Sequence, residues 1–313
     1  MSGFARAIAG KIEAYIRLRC SLGYSFRTQA GTLRAFRRFV EQGKHTGPLT
    51  QAMVVTFVLS SDVTPTVRAR RYSVLRQFAE YLSVFDVRTE TLDPRALPRG
   101  RLTPPARILT DSEVANLLAA ARDISPDHPM RGQTLYTLVG LLASTGLRSG
   151  EALRLDRAAV DLDRGVLQIH LTKFRKNRLV PIHATTAEAL RSYAIVRDRA
   201  YPRLASSAFF LNLRGQRFSP GSLSSAFRQA CVHAGLDRTG LRPPRPHDLR
   251  HRFAVARLVE WHREGVDVQA HLPLLATYLG HARYTDTAYY ITGTAELLGI
   301  AAERTFGRAG GAS

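Results

Sequence analysis

One stretch limits every fold this chain can adopt. Residues 93–107 read DPRALPRGRLTPPAR, with four prolines, one glycine, four arginines and almost nothing to pack. Proline fixes φ and removes a backbone donor, so such a segment enters neither a helix interior nor a central strand. It reads as a linker, which we bound at 96–108. It divides the 313 residues into an N-terminal part, 1–95, and a C-terminal part, 109–313.

The first part reads as helical throughout. Ile8, Ile12, Tyr15 and Ile16 recur at helical spacing until Gly23. Leu33, Phe36, Phe39 and Val40 define a second helix over 28–42 that stops at Gly43. Thr50 is placed to cap a third, and Pro65 opens a fourth over 66–84. Carrying Arg34, Arg37, Arg38, Arg68, Arg70 and Arg71, these helices predict a compact basic bundle.

The second part opens with Thr110 and Glu113 spaced as a capping box before Val114, Leu117 and Leu118. A helix over 131–145 ends at Gly146. Residues 166–171 alternate as a strand, 179–182 form its partner, and 173–178 make a basic hairpin tip between them. Helices follow over 185–200, 219–235, 247–262, 271–280 and 285–291. The expected class is mainly α with a small antiparallel β-sheet: a helical N-terminal domain followed by an α+β domain.

Charge then limits function. Lys and Arg number 45 against 25 Asp and Glu, a net +20, with a pI near 11.0. A polyanionic partner follows, because each phosphate neutralised releases condensed counterions. The first hundred residues hold 16 basic and 7 acidic side chains, and the remainder is also strongly basic. The excess is therefore no tail, and two lobes gripping one duplex would share it. No apolar run approaches the roughly 20 residues that span a bilayer, and the start, MSGFARAIAGK, lacks the apolar region of a secretory leader. Cys20 and Cys231 lie far apart and match no metal or disulfide pattern. A reduced, cytoplasmic protein with no membrane partner is expected.

Four separated segments carry chemistry. Arg148 follows Gly146 at a helix end, with Glu151 three positions on to orient it. Alone, this is a helix cap with a surface ion pair. The hairpin holds Lys173, Arg175 and Lys176. Only four of the 45 basic residues are lysine, and two fall here. Arginine keeps its proton whereas lysine can release one, so a general acid for a leaving oxygen accounts for the choice. His247 and Arg250, three apart, share a helix face, and His251 follows. His247 and His251 also have the spacing of a zinc-protease helix. Against that, Asp248 replaces the usual glutamate, Arg250 would set a cation beside the metal, and no third ligand is signalled. Last come His281, after Leu-Gly, and the pair Tyr289 and Tyr290; singly these are a helix cap and core aromatics. Together the segments meet the needs of phosphoryl transfer in DNA, namely cations on the non-bridging oxygens, an in-line nucleophile and a donor for the leaving oxygen. Carboxylates are not clustered as two-metal chemistry demands, so neither metal nor cofactor is expected.

In this order the segments resemble the boxes of the tyrosine recombinase (lambda-integrase-like) family. Those boxes are Gly-Leu-Arg-x-x-Glu, a hairpin lysine, His-x-x-Arg, and Leu-Gly-His with a tyrosine nine residues on. The likeness covers the catalytic half, and the helical first part is similar to the family's core-binding (SAM-like) domain. The resemblance implies that Arg148 and Arg250 bind the scissile phosphate and that Lys173 is the general acid. His247 would assist proton transfer, His281 would hydrogen-bond the phosphate, and Tyr290 would attack, with Glu151 and His251 in support. Arg34, Arg37, Arg38, Arg68, Arg70, Arg71, Arg175 and Lys176 would contact DNA. Two alternatives stay open. Thr172 and Phe174 flank Lys173 where the family often has glycine, which leaves Lys176 as a rival acid; Tyr289 adjoins Tyr290.

The implied activity is site-specific recombination or integration through a 3′-phosphotyrosyl intermediate and a Holliday junction. Four protomers would act on paired double-stranded DNA sites, with or without a partner recombinase, and segment 294–303 would dock on a neighbouring protomer. Service to a mobile element such as a transposon is the expected role, with phage integration and chromosome-dimer resolution open. No arm-binding domain precedes the bundle, which weighs against an elaborate phage-type assembly. The rival functions are an idle DNA-binding accessory protein or repressor and a type IB topoisomerase.

Overall fold

The computed structural model describes residues 3–43, 45–97, 106–170, 177–202, 206–238 and 240–281. The chain forms two compact units, residues 1–104 and 105–313.

Among the described residues the first unit holds four helices: α1 (Gly3–Ser21), α2 (Arg27–Gln42), α3 (Gln51–Leu59) and α4 (Pro65–Ser83). The spacing that predicts them also builds their core. Ile8 and Ile12 of α1, Leu33 and Phe36 of α2, Val54 of α3, and Leu75 and Phe78 of α4 are all essentially inaccessible. Thr50 caps α3 by accepting from the Met53 N–H at 3.2 Å, and Pro65 occupies the first turn of α4. After α4 the chain returns to the start of α3. The Gln51 side chain accepts from the Asp93 N–H at 2.8 Å, and the Tyr72 hydroxyl donates to the Asp93 carbonyl at 2.8 Å. Leu92 is buried, and Ala96 and Leu97 pack against the same core.

The second unit contains α5 (Asp111–Arg122), α6 (Pro129–Thr145), a short α7 (Ser149–Leu153) and a 3₁₀ turn at Arg157–Ala159. Three strands follow, β1 (Val160–Asp161), β2 (Val166–Ile169) and β3 (Arg178–Pro181). Then come α8 (Ala184–Ala200), α9 (Pro220–His233), α10 (Pro246–Arg263) and α11 (Val268–Leu279). The sheet is antiparallel in the order β1-β2-β3, with Leu167 opposite Val180 and Ile169 opposite Arg178. Its edge position lets β3 end on Pro181. The mainly helical class with one small antiparallel sheet is as expected from sequence.

Apolar α6 forms the centre of this unit and packs against α5, α8 and α10, burying Leu135, Leu138 and Leu142. The Thr110–Glu113 capping box is present in both directions, at 3.2 and 2.9 Å. Several boundaries differ from the sequence reading by one to three residues; β3, for instance, starts at Arg178 rather than 179. β2 is described only to Ile169 as a strand, and α11 starts at Val268 rather than 271. Asp267 accepts from the Gln269 and Ala270 N–H groups and so fixes an earlier start, with Pro273 accommodated inside the helix. The helix expected over 285–291 lies outside the described residues.

Candidate active site

Chain direction changes at two left-handed glycines, and the site is built between them. Gly146 (φ +62°) ends α6, and Gly280 (φ +69°) ends α11. At Gly146 the chain leaves α6 and sets Arg148 just ahead of α7. Glu151, in the first turn of α7 and almost fully buried, accepts from the Arg148 backbone N–H at 3.1 Å and from Arg148 Nη1 at 3.0 Å. It also accepts from Arg178 Nη1 at 3.2 Å and Nη2 at 2.9 Å. Burial pushes the Glu151 carboxyl up, but the hydrogen bonds and charge of Arg178, then those of Arg148, outweigh it and hold the group below its ordinary value.

At Gly280, α11 ends in a Schellman motif: the Gly280 N–H donates to Thr277 and the His281 N–H to Ala276. Three arginines close the carbonyls that this ending exposes. Arg178 Nε donates to Tyr278 at 2.9 Å, Arg250 Nη2 to Leu279 at 2.8 Å, and Arg148 Nη2 to Gly280 at 3.0 Å. Cations here also suit the negative end of the helix dipole.

The start of α10 is fixed by Asp248, which is fully buried. It accepts from the Arg245 backbone N–H at 2.7 Å and from Arg242 Nη1 and Nη2 at 2.8 and 2.7 Å. Arg107, also buried, donates to the carbonyls of Leu236 and Arg242 and so steadies the segment leading into α10. One turn into that helix, Arg250 is buried and donates from Nη1 to the Gly146 carbonyl at 2.8 Å.

The His247 and His251 rings meet edge to face at 4.7 Å between centroids. His247 keeps an exposed edge, yet the protein packed around its ring, with His251 and Arg250 adding charge, pushes it down to about 4. His281 is pushed down to about 3 by burial, with Arg250 and Arg148 next in effect. His251 is lowered for the same first reason. His247 and His281 are therefore neutral near pH 7, able to donate from one ring nitrogen and accept at the other. A cavity of about 450 Å³ opens beside His247, lined by Ser149, Leu223, Phe227, Arg228 and Pro243.

The structure thus brings together Arg148, Glu151, His247, Arg250, His251 and His281, residues that span more than half of the second unit. Lys173, Arg175, Lys176, Tyr289, Tyr290 and segment 294–303 lie outside the described residues. Among the described residues no three His, Cys, Asp or Glu side chains group as metal ligands. The Asp248 carboxylate is engaged by arginine rather than turned toward His247 and His251.

In the first unit, Arg34 pairs with Glu13 through two bonds of 3.0 Å and Arg37 with Glu41 at 3.5 Å. Arg68 reaches the Ser61 carbonyl at 3.4 Å, Arg38 and Arg70 are exposed, and Arg71 is half-buried. Sequence reasoning missed Arg178. It reads as part of a solvated hairpin tip, whereas it is the first residue of β3 with a side chain only 11% exposed. Arg242 and Arg107 were missed in the same way.

Residues 107–296 match the Phage integrase family. The chain is 56% identical over 306 residues to the integrase/recombinase y4rE of Sinorhizobium fredii, covering 98% of each protein. It is 30% identical over 231 residues to the tyrosine recombinase XerD of Caulobacter vibrioides, covering 73% of this chain and 71% of that one. Among solved structures, the Tn1549 transposon integrase in complex with transposon right end DNA superposes with a TM-score of 0.68. That match has 16% identity and covers 95% of this chain and 98% of the other. Among the described residues no helix is long and apolar enough to cross a membrane.

Proposed function

We propose a residue-level mechanism on the premise that this chain belongs to the phage integrase family. It is a site-specific recombinase, an enzyme that cleaves and rejoins DNA. Double-stranded DNA is its substrate. Supporting this are the net charge of +20 and the likeness to an integrase held on transposon-end DNA.

The observation that carries the mechanism is the convergence of Arg148, Arg250, His247 and His281 at the end of α11. Arg148 and Arg250 hold the non-bridging oxygens of the scissile phosphate, and His281 donates a further hydrogen bond. The Tyr290 oxygen attacks phosphorus in line and passes its proton to His247, whose neutral ring can accept it. The Tyr290 O–P bond forms as the P–O5′ bond breaks, and the 5′ oxygen leaves with a proton from Lys173; Lys176 is the rival donor. The 3′-phosphotyrosyl bond then yields to the 5′-hydroxyl of a partner strand. One phosphoester replaces another at each step, so no nucleotide need be consumed. Four protomers on two paired sites, exchanging strands through a Holliday junction for a mobile element, is the assembly and role that the family likeness favours.

The test is trapping on a suicide DNA substrate carrying the element's ends, read on a denaturing gel for wild type, Tyr290→Phe and Tyr289→Phe. A covalent adduct lost only in Tyr290→Phe is expected. An adduct that survives in Tyr290→Phe would move the nucleophile, and DNA binding without any adduct would favour an accessory protein.

A further inference from the structure

Glu151 is shared by two guanidiniums, and the two are not equivalent. Arg178 covers both carboxylate oxygens, at 3.2 and 2.9 Å, and its side chain is only 11% exposed. Arg148 covers one, at 3.0 Å, and its side chain is 31% exposed. A buried carboxylate stripped of its counter-charge is strongly disfavoured. Were Arg148 its sole charged partner, drawing that guanidinium onto a phosphate would leave Glu151 with the Arg148 backbone N–H but no counter-charge. Arg178 removes the conflict.

The local packing is specific to arginine at this place. Nε donates to the Tyr278 carbonyl while the two terminal nitrogens face Glu151, so one plane serves three acceptors. Lysine offers a single nitrogen and cannot span them. Gly280 provides the room: a Cβ there would lie 2.6 Å from Arg178 Nη1 and 2.8 Å from Cζ.

We propose that Arg178 is a positioning residue whose guanidinium neutralises Glu151 and so releases Arg148 to engage the DNA phosphate. The idea rests on the assignment of Arg148 to the scissile phosphate. Arg178 touches no substrate and acts through Glu151.

A double-variant cycle on the full chain tests it, with cleavage of the suicide substrate measured at saturating DNA. Arg178→Met should slow cleavage on the order of 100-fold, as expected when one partner of a buried charge pair is lost. Adding Glu151→Gln removes the charge that needed a partner, and should restore at least about 10-fold of that loss. Arg178→Lys should not rescue to the same degree. If Arg178 merely fastened β3 to α11, the second substitution would add damage; a double variant as slow as Arg178→Met, or slower, overturns the proposal. Should Arg178→Met fail to fold, the same contrast is read between Arg178→Lys and Arg178→Lys with Glu151→Gln. Arg148→Ala separates the two layers. Wild-type cleavage in that variant would sink the assignment of Arg148 itself, whereas loss of cleavage there without rescue in the cycle would sink only the role of Arg178.

Discussion

Arg250 donates to the carbonyl of Gly146 at 2.8 Å, joining residues 104 positions apart, and its other terminal nitrogen reaches Leu279 at 2.8 Å. One guanidinium ties the end of α6 to the end of α11. Arg250→Ala should therefore destabilise the protein by about 2–5 kcal/mol, because two buried carbonyls lose their donor and a large side chain leaves a void. Arg250→Lys should cost less, having one nitrogen for two acceptors, and both variants should lose cleavage. Chemical denaturation of the full chain checks this. An unchanged midpoint in Arg250→Ala would mean that the two carbonyls find other donors.

Gly146 and Gly235 separate backbone strain from crowding. Both have positive φ, +62° and +70°, but a Cβ on Gly146 would meet Phe253 Cδ1 at 2.6 Å and Leu279 Cδ2 at 3.0 Å, while Gly235 has nothing within 4 Å. Gly235→Ala should cost about 1–2 kcal/mol from the left-handed conformation alone. Gly146→Ala should cost about 1–3 kcal/mol more by overpacking. Equal losses of stability in the two variants would contradict the difference in packing.

Acid should weaken the fold through two histidines. His247 and His281 are held at about 4 and about 3, below the ordinary 6.5. Between those values and 6.5 the unfolded chain binds protons that the folded chain refuses. Stability from these groups is thus complete above pH 6.5 and declines as pH falls. His281 accounts for about 1–2 kcal/mol of loss by pH 5, and His247 for less, since solvent reaches its edge. Melting temperature should fall as pH is lowered through this range, and that dependence should flatten when both residues are replaced by Asn.

The two cysteines should react very differently. Cys20 is exposed, whereas Cys231 is buried, and burial pushes its thiol up to about 12. A disulfide reagent should titrate one thiol promptly in native protein and the second only after denaturant is added. Prompt reaction of both would show that α9 opens readily.

Features written in local chemistry were legible in the sequence. The Thr110–Glu113 box, Pro65 at the start of α4, and Gly146 and Gly280 at helix ends each declare themselves within a turn of chain. Arg148, His247, Arg250 and His281 stood out only as a set. Each alone reads as a helix cap, an ion pair or a helix face, and it was the order of the segments that resembled a known family. Arg178 did not stand out. Its partners Glu151 and Tyr278 are 27 and 100 residues away, and in a chain whose basic residues are almost all arginine nothing local marks it out. The clamp of Arg242 on Asp248 was hidden by proline-rich surroundings that read as loop. β1, two residues long, is too short to show alternation.

The closure of α11 by Arg178, Arg250 and Arg148 has a consequence for redesign. Two of the side chains assigned to grip DNA are also the ones that finish a helix, so tolerance to heat and speed of strand cleavage draw on one pool of N–H donors. A hardier variant cannot be sought by replacing these arginines with well-packed apolar groups, although such swaps often strengthen buried ion pairs elsewhere. Improvement has to come from positions that touch none of those donors, such as the exposed Ile195 and Val196 on α8.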